Sequence, residues 1–228
     1  MKYAMSKNYR LDFYIINTSD IDYKMISNLY NSSYRQQIID DYKNDHDKLN
    51  MLLSEMIIKM LYSKMYNLNL RTININVTSF GKPSISNSYN FSYSISHTST
   101  YLACCVSNHS IGIDIEVCQH MDENLLKLIC TPKELDYILN SNYKNINSTM
   151  IWTRKEAYYK FIGTGLQDNI NEFDTLNKIY RDNLSLFSFY YNDHIISICT
   201  NINKIQNPIY INELEISEII NFFSNIKE

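Results

Sequence analysis

The sequence predicts an α+β protein made of two similar halves, residues 1–109 and 110–228. In each half, helical patterns come first and antiparallel strand patterns follow, which is typical of this class. The chain has 228 residues, enough for two units of roughly 110 residues each. Its side chains are 45% hydrophobic and 20% charged, as expected for a globular protein with a real core. No sequence repeat joins the halves, so their likeness rests on the order of the elements.

The first half is organised around one long helix at residues 47–67. Those residues carry a wide apolar stripe and contain neither glycine nor proline. Apolar spacing and strand-like alternation define the other elements. These are two short helices within residues 20–42 and strands at residues 11–17, 72–78, 91–96 and 101–107.

The second half opens on a strand at residues 110–117 and continues with helices. Thr131-Pro132-Lys133-Glu134 reads as a capping box with proline at the first helical position. Ser148 is the expected cap of the next helix, which stops at Gly163. Residues 184–191 and 195–200 predict a hairpin that turns at residues 192–194, and residues 213–223 predict a final amphipathic helix.

Charge and composition exclude several function classes. The net charge of −3 and the pI of about 6.0 argue against nucleic-acid binding, and no basic run favours it. The first ten residues are polar, and no apolar run reaches the length of a membrane span. We therefore expect a soluble protein without a membrane partner.

Cysteine and histidine usage indicates a reducing compartment. The five cysteines are odd in number and lack a Cys-x-x-Cys spacing, so free and mostly buried thiols in the cytoplasm are expected. A zinc site built from Cys104, Cys105, His97 and His109 lacks a proper ligand spacing. Every histidine other than His97 is expected at the surface, namely His46, His109, His120 and His194.

An acidic pair lies in the strand Ser-Ile-Gly-Ile-Asp-Ile-Glu at residues 110–116. Its isoleucines alternate with Gly112, Asp114 and Glu116, so both carboxylates leave the same face, ~7 Å apart at their Cα atoms. Two anions this close repel unless a cation lies between them, and Mg²⁺ prefers such hard oxygen ligands. A half-exposed strand with acids on its solvated face remains the alternative.

A second motif lies on the helix after Ser148. Glu156 and Lys160 are four residues apart and therefore share a helix face. The plain alternative is a surface ion pair, worth only about 0.3–0.5 kcal/mol, with Trp152 and Tyr159 as ordinary core residues.

In combination, these segments resemble the Sfp-type 4′-phosphopantetheinyl transferases. The resemblance covers roughly residues 80–166 and rests on four pieces in the family's order. These are Gly81-Lys82-Pro83, Ser96-His97, Gly112-Ile113-Asp114-Ile115-Glu116 and Trp152-x-x-Lys155-Glu156-Ala157-x-x-Lys160-x-x-Gly163-x-Gly165-Leu166. It implies a pseudo-dimer fold and Mg²⁺-dependent transfer of 4′-phosphopantetheine from coenzyme A to a serine of an apo carrier protein, releasing 3′,5′-ADP. The implied partners are peptidyl, acyl or polyketide carrier domains, and we expect a monomer.

The resemblance also implies roles for the acidic and basic residues of the last two pieces. Asp114, Glu116 and Glu156 would bind the metal in the cleft between the halves, and Glu156 would also be the general base. Lys160 would neutralise charge on the transferred phosphate, and Lys155 would support that anion pocket.

The remaining implied contacts are to the nucleotide end of coenzyme A. Ser96 and His97 would contact its 3′-phosphate, and Lys82 would lie near the adenine. The family's basic residue near the start of the long helix is replaced here by Asn50, so Lys48 or Arg35 is expected to take its role. A weaker preference for coenzyme A over its 3′-dephospho form would follow.

Two other functions use the same residues. A non-catalytic coenzyme A or nucleotide-binding protein would keep the fold, although the intact carboxylates and lysines argue against it. A Mg²⁺-dependent phosphohydrolase would release phosphate or ADP without any carrier protein.

Overall fold

The computed structural model describes residues 10–32, 36–88, 90–167, 169–176, 184–202 and 209–225. The strands in these ranges are β1 (Leu11–Asn17), β2 (Ile75–Val77), β3 (Pro83–Ile85), β4 (Ser92–His97), β5 (Tyr101–Ser107), β6 (Ile111–Val117), β7 (Ser185–Tyr191), β8 (His194–Thr200) and β9 (Ile211–Glu213). The helices are α1 (Tyr23–Leu29), α2 (Gln36–Asp41), α3 (Asp45–Tyr66), α4 (Glu123–Ile129), α5 (Pro132–Leu139), α6 (Lys144–Ile162) and α7 (Ile216–Ser224).

Helices and mainly antiparallel sheets occupy separate layers, so the predicted α+β class is confirmed. One sheet has the strand order β4-β5-β1-β9, another has the order β6-β8-β7, and β2 and β3 form a small hairpin. Among the described strands, only β1 and β9 pair in parallel. Through β9 the chain returns to the first sheet, and α7 then packs on α1 and α3. The boundary at residue 109 stays a prediction.

The long helix α3 confirms the strongest helical prediction of the first half, with bounds shifted by one or two residues. The side chain of Asn44 accepts a hydrogen bond from the His46 amide at its start, and Asn67 ends it in the left-handed region at φ 52°. Its apolar stripe is buried against the first sheet, with Leu53, Met56 and Ile57 almost fully inaccessible. Hydrophobic burial of this stripe fixes the helix on the sheet.

A shared core joins the two large sheets. Ile111, Ile113 and Ile115 of β6 are fully buried and pack with Phe13 and Ile15 of β1. The predicted alternation is therefore confirmed, and the other face of β6 is turned away from this core. The acidic pair consequently lies on the face of β6 that packs against α6, where the Ser96 hydroxyl of β4 also reaches Asp114.

Three local predictions are wrong. Helix α6 begins at Lys144, and Ser148 lies inside it, donating its hydroxyl to the Asn145 carbonyl. A 3₁₀ turn at Leu70–Thr72, capped by Asn69, takes up the start of the strand predicted at 72–78. The predicted turn at 192–194 is shorter, since residue 194 already belongs to β8.

All five cysteines are free thiols, and four of them are buried, as predicted. None of the helices described above combines the length and apolarity that a membrane crossing needs.

Candidate active site

A close approach of β6 to α6 builds the site. A β-carbon at Gly112 would lie 2.0 Å from the Ala157 carbonyl oxygen and 2.4 Å from the Phe161 amide nitrogen, so only glycine allows this packing. The strand that carries Asp114 is thereby pressed against the helix that carries Glu156. The two sequence motifs, forty residues apart, meet through this contact.

Asp114 is the buried centre of the site. Its Oδ1 atom accepts hydrogen bonds from the Ser96 hydroxyl at 2.8 Å and from the Lys160 ammonium at 2.7 Å. The same ammonium also donates to the Ser96 hydroxyl oxygen at 2.8 Å. The other carboxylate oxygen of Asp114, Oδ2, is buried and has no hydrogen-bond partner. An orphaned carboxylate oxygen is costly unless a ligand satisfies it.

Two further carboxylates lie beside Asp114. Glu116 accepts a hydrogen bond from the Trp152 indole nitrogen at 3.3 Å, while burial and the Asp114 charge raise its pKa. Burial, followed by repulsion from Asp114, raises the pKa of Glu156 to about 7, although the Lys160 ammonium opposes the change. The Glu156 carboxyl is therefore protonated for part of the time at neutral pH.

These three carboxylates fit a hard divalent cation by the chemistry of their donors. The Oδ2 of Asp114 has no partner among the described residues, and burial followed by repulsion from Asp114 raises the pKa of Glu156, so a cation at this place would be favourable to both carboxylates. Among the described residues, no group of three or more Asp, Glu, Cys or His side chains is arranged so that it could hold a metal ion as it stands. Asp114, Glu116 and Glu156 are the residues that would hold Mg²⁺.

His97 lies at the mouth of the same cleft and contacts Asn50. Its Nδ1 atom is 3.4 Å from the Asn50 amide nitrogen, while the Asn50 carbonyl oxygen is buried and unpartnered. Desolvation and the nearby Lys160 ammonium lower the pKa of His97. The Lys48 ammonium lies 3.9 Å from Asp45 and over the Tyr23 ring, and Arg35 falls outside the described residues. The residue that would replace the family's basic group therefore stays a prediction.

Lys82 is close to the site, but its ammonium is engaged. It donates hydrogen bonds to the carbonyl oxygens of Ile111 at 3.3 Å, Lys160 at 2.5 Å and Phe161 at 3.0 Å. Burial lowers its pKa. A cation at the last carbonyls of α6 is favourable because it meets the negative end of the helix dipole. Only the stem of Lys82 is left to face a ligand.

A cavity of about 300 Å³ opens next to these groups. Its polar wall includes His97, Glu156 and Lys160, and residues of both halves contribute to it. Its apolar wall includes Met51, Phe80, Tyr93, Ile95, Tyr159 and Leu166. An apolar cleft with a few convergent charged groups is the usual form of a small-molecule site.

The prediction that Lys155 supports an anion pocket in the cleft is wrong. Its side chain is fully buried on the opposite side of α6, where the ammonium pairs with Glu134 at 2.9 Å and donates to the carbonyl oxygens of Ile170 and Phe173. Adjacent helix positions point in different directions, so Glu156 faces the cleft while Lys155 faces the core.

The prediction that His194 lies at the surface is also wrong. It is 1% exposed and belongs to a strand whose seven residues are all buried. The run of isoleucines after it was a signal of a strand covered on both faces. Sequence reasoning also missed the Trp152 contact to Glu116, because an indole nitrogen gives no periodic signal.

Comparison with known families places both halves in one group. A family model described as "4′-phosphopantetheinyl transferase superfamily" matches residues 110–208. A second, described as "4′-phosphopantetheinyl transferase, N-terminal", matches residues 17–109.

Individual relatives carry the same description. The chain is 27% identical over 204 residues to 4′-phosphopantetheinyl transferase gsp of Aneurinibacillus migulanus, covering 84% of this chain and 85% of that protein. It is 25% identical to the L-aminoadipate-semialdehyde dehydrogenase-phosphopantetheinyl transferase of Saccharomyces cerevisiae, over 79% of this chain and 77% of the relative. Sfp of Bacillus subtilis is 24% identical over 58% of this chain and 60% of its own length.

Proposed function

This chain belongs to the 4′-phosphopantetheinyl transferase superfamily, and from that premise we propose that it moves 4′-phosphopantetheine from coenzyme A to a serine of an apo carrier protein in a Mg²⁺-dependent reaction. The observation that carries the proposal is the buried, unpartnered Oδ2 of Asp114 between two further carboxylates. Bound Mg²⁺ would supply charge neutralisation at the pyrophosphate. Asp114, Glu116 and Glu156 would hold it.

The reaction exchanges one phosphorus–oxygen bond for another. The serine oxygen bonds to the phosphorus that carries pantetheine, and the bond to the bridging oxygen breaks, releasing 3′,5′-ADP. Glu156 takes the hydroxyl proton, directly or through a water. Glu156 lies on the cleft wall beside Lys160, which places its carboxylate within the site where the serine would enter.

The basic side chains bind and orient the donor. Lys160, which is 2.7 Å from Asp114 and 30% exposed at its side chain, supplies positive charge for the transferred phosphate. His97 receives the 3′-phosphate, and the bound anion favours the protonated imidazole. The Ser96 hydroxyl, which was predicted to share this contact, is engaged with Asp114 and Lys160 instead. The apolar wall and the stem of Lys82 are available to the adenine.

The acceptor is a carrier domain of an assembly line, peptidyl or polyketide, with an acyl carrier of fatty-acid synthesis as the other candidate. We place the reaction in the cytoplasm, which agrees with five free thiols, and expect the chain to act as a monomer.

Intact-protein mass spectrometry tests the proposal. The chain is incubated with an apo peptidyl carrier protein, coenzyme A and Mg²⁺, and the carrier should gain one phosphopantetheine mass. Chelation by EDTA and the Asp114→Ala variant should each abolish the gain, while thermal unfolding of the variant stays close to that of the parent protein.

A different outcome would identify one of the other functions. No gain on peptidyl, acyl and polyketide carriers, with coenzyme A still bound, would indicate a non-catalytic binding protein. Release of 3′,5′-ADP without carrier would indicate a phosphohydrolase.

A further inference from the structure

We propose that His194, a residue of the second half, is a positioning residue that holds the turn presenting His97 to the nucleotide; this inference rests on the proposed function. His194 begins β8 and is buried at the boundary between the halves. His97 ends β4, and Thr98 follows it in the turn to β5. Residue 194 has no direct contact with the cleft, so it acts through this turn.

The contact between His194 and the turn is a specific hydrogen bond. The Nε2 atom of His194 is 3.1 Å from the Thr98 hydroxyl oxygen. That oxygen already accepts hydrogen bonds from the amides of Thr100 and Tyr101, both at 3.2 Å. Its own proton is therefore directed to His194, which assigns Nε2 as an acceptor and Nδ1 as the protonated nitrogen.

The other side of the imidazole agrees with this tautomer. Nδ1 is 2.7 Å from a carboxylate oxygen of Asp193, although the alignment is not that of a hydrogen bond. The Tyr101 ring packs edge-on against the imidazole at 5.0 Å between centroids. The ring is thus held by the Thr98 hydroxyl at Nε2 and by the Tyr101 ring, within a strand that is buried along its whole length, and a fixed ring can fix Thr98.

A residue of the first half also contacts this turn. The Nε2 atom of His46, near the start of α3, is 3.3 Å from the Thr98 carbonyl oxygen. Thr98 is therefore gripped by one histidine from each half. Loss of the His194 contact should release His97 relative to the cleft without removing any group that touches the substrate.

A matched set of variants separates this role from general loosening. His194→Leu removes both nitrogens and keeps apolar bulk, and Thr98→Val removes the hydroxyl with little change of shape. Asn192→Gly is the control, because the Asn192 amide joins the same hairpin to the Tyr101 hydroxyl at 2.8 Å without touching Thr98. Asn192 has φ 53°, which glycine adopts freely.

The measurement is calorimetric binding of adenosine 3′,5′-bisphosphate and of adenosine 5′-monophosphate to the full chain. The parent protein should favour the bisphosphate. In His194→Leu that preference should fall about tenfold, ~1.4 kcal/mol, with monophosphate binding unchanged. In Thr98→Val, which also removes the acceptor of the Thr100 and Tyr101 amides, it should fall at least as much. The double variant should lose no more than Thr98→Val alone, and Asn192→Gly should keep the parent ratio.

Transfer assays give the second readout. In both single variants KM for coenzyme A should rise by more than kcat falls. An unchanged nucleotide ratio, or equal weakening of both nucleotides, would overturn the positioning role even if the parent protein transfers phosphopantetheine normally. A parent protein that neither discriminates the nucleotides nor modifies a carrier would instead remove the proposed function, and this inference with it.

Discussion

Helix α6 carries two lysine–carboxylate pairs whose surroundings differ sharply. Lys155 and Glu134 are both completely buried, 2.9 Å apart. The Glu134 carboxylate also accepts hydrogen bonds from the Thr131 and Thr175 amides, so both of its oxygens have partners. Lys160 is 30% exposed, and its partner Asp114 keeps one buried oxygen without a partner.

This difference shows that the two lysines of the α6 motif have different roles. The satisfied pair ties α6 to the cap of α5 and to the segment of residues 170–175, which is a structural task. The incompletely satisfied pair faces the cleft and has capacity left for a ligand. Between these two pairs, exposure of the lysine and the unpartnered oxygen of Asp114 distinguish the cleft from the core.

The largest expected effect on stability is at the buried pair. Lys155→Met leaves the Glu134 charge unpaired in the core and should lower the free energy of unfolding by ~3–5 kcal/mol. Urea denaturation measures this. The double variant Lys155→Met/Glu134→Leu should recover part of the loss, because no unpaired charge remains. A single variant within about 1 kcal/mol of the parent would contradict the structural assignment of this pair.

Lys160→Met should show the opposite division between stability and turnover. We expect kcat for carrier modification to fall about 10²–10³-fold, because the charge proposed to neutralise the transferred phosphate is lost. The free energy of unfolding should fall by less than in Lys155→Met, because the position of the lysine is partly exposed and solvent can screen the charge left on Asp114. Lys127→Met, which removes an exposed pair with Glu123, is the control and should change neither quantity. A stability loss as large as that of Lys155→Met would remove the contrast between the pairs.

Glu156 sharpens the contrast through pH. Its pKa is raised from 4.5 to about 7 in the folded state, so the folded protein binds more protons than the unfolded chain between these values. Its ionisation therefore lowers stability as pH rises from 4.5 to 7 and adds no further change well above 7. Glu156→Gln removes this contribution.

The stability of Glu156→Gln relative to the parent protein should consequently rise from pH 5 to pH 7 and then level off. Urea denaturation in metal-free buffers at several pH values measures the difference. Glu123→Gln, which removes an exposed carboxylate, is the control variant. A flat profile for Glu156→Gln would mean that its carboxyl ionises normally in the fold.

A smaller loss of stability than at the buried pair is expected at Lys82, whose ammonium binds backbone carbonyls in place of a carboxylate. Lys82→Met should lower the free energy of unfolding by about 1–2 kcal/mol, the scale of a partly buried cation at a helix C-terminus. Thermal and urea unfolding check this. If the free energy of unfolding fell nearly as much as in Lys155→Met, the Lys82 contacts at the end of α6 would be as important for stability as the buried ion pair.

The sequence by itself determined the class of the fold, most of the elements and the acidic face of β6. Period-two alternation placed Asp114 and Glu116 opposite the isoleucines, and the capping box at Thr131 was found with both of its hydrogen bonds. These features depend on local periodicity and local hydrogen bonds, which neighbouring residues specify.

The tertiary structure alone decided which groups are paired. Lys155 and Glu156 are neighbours in the chain, yet one enters the core and the other the cleft. Sequence spacing also could not show that His194 is buried against Thr98 from the other half, or that the Lys82 ammonium is taken up by α6. Each of these depends on contacts between distant segments. Burial of the shared core brings those segments together, and local sequence periodicity does not specify which of them meet.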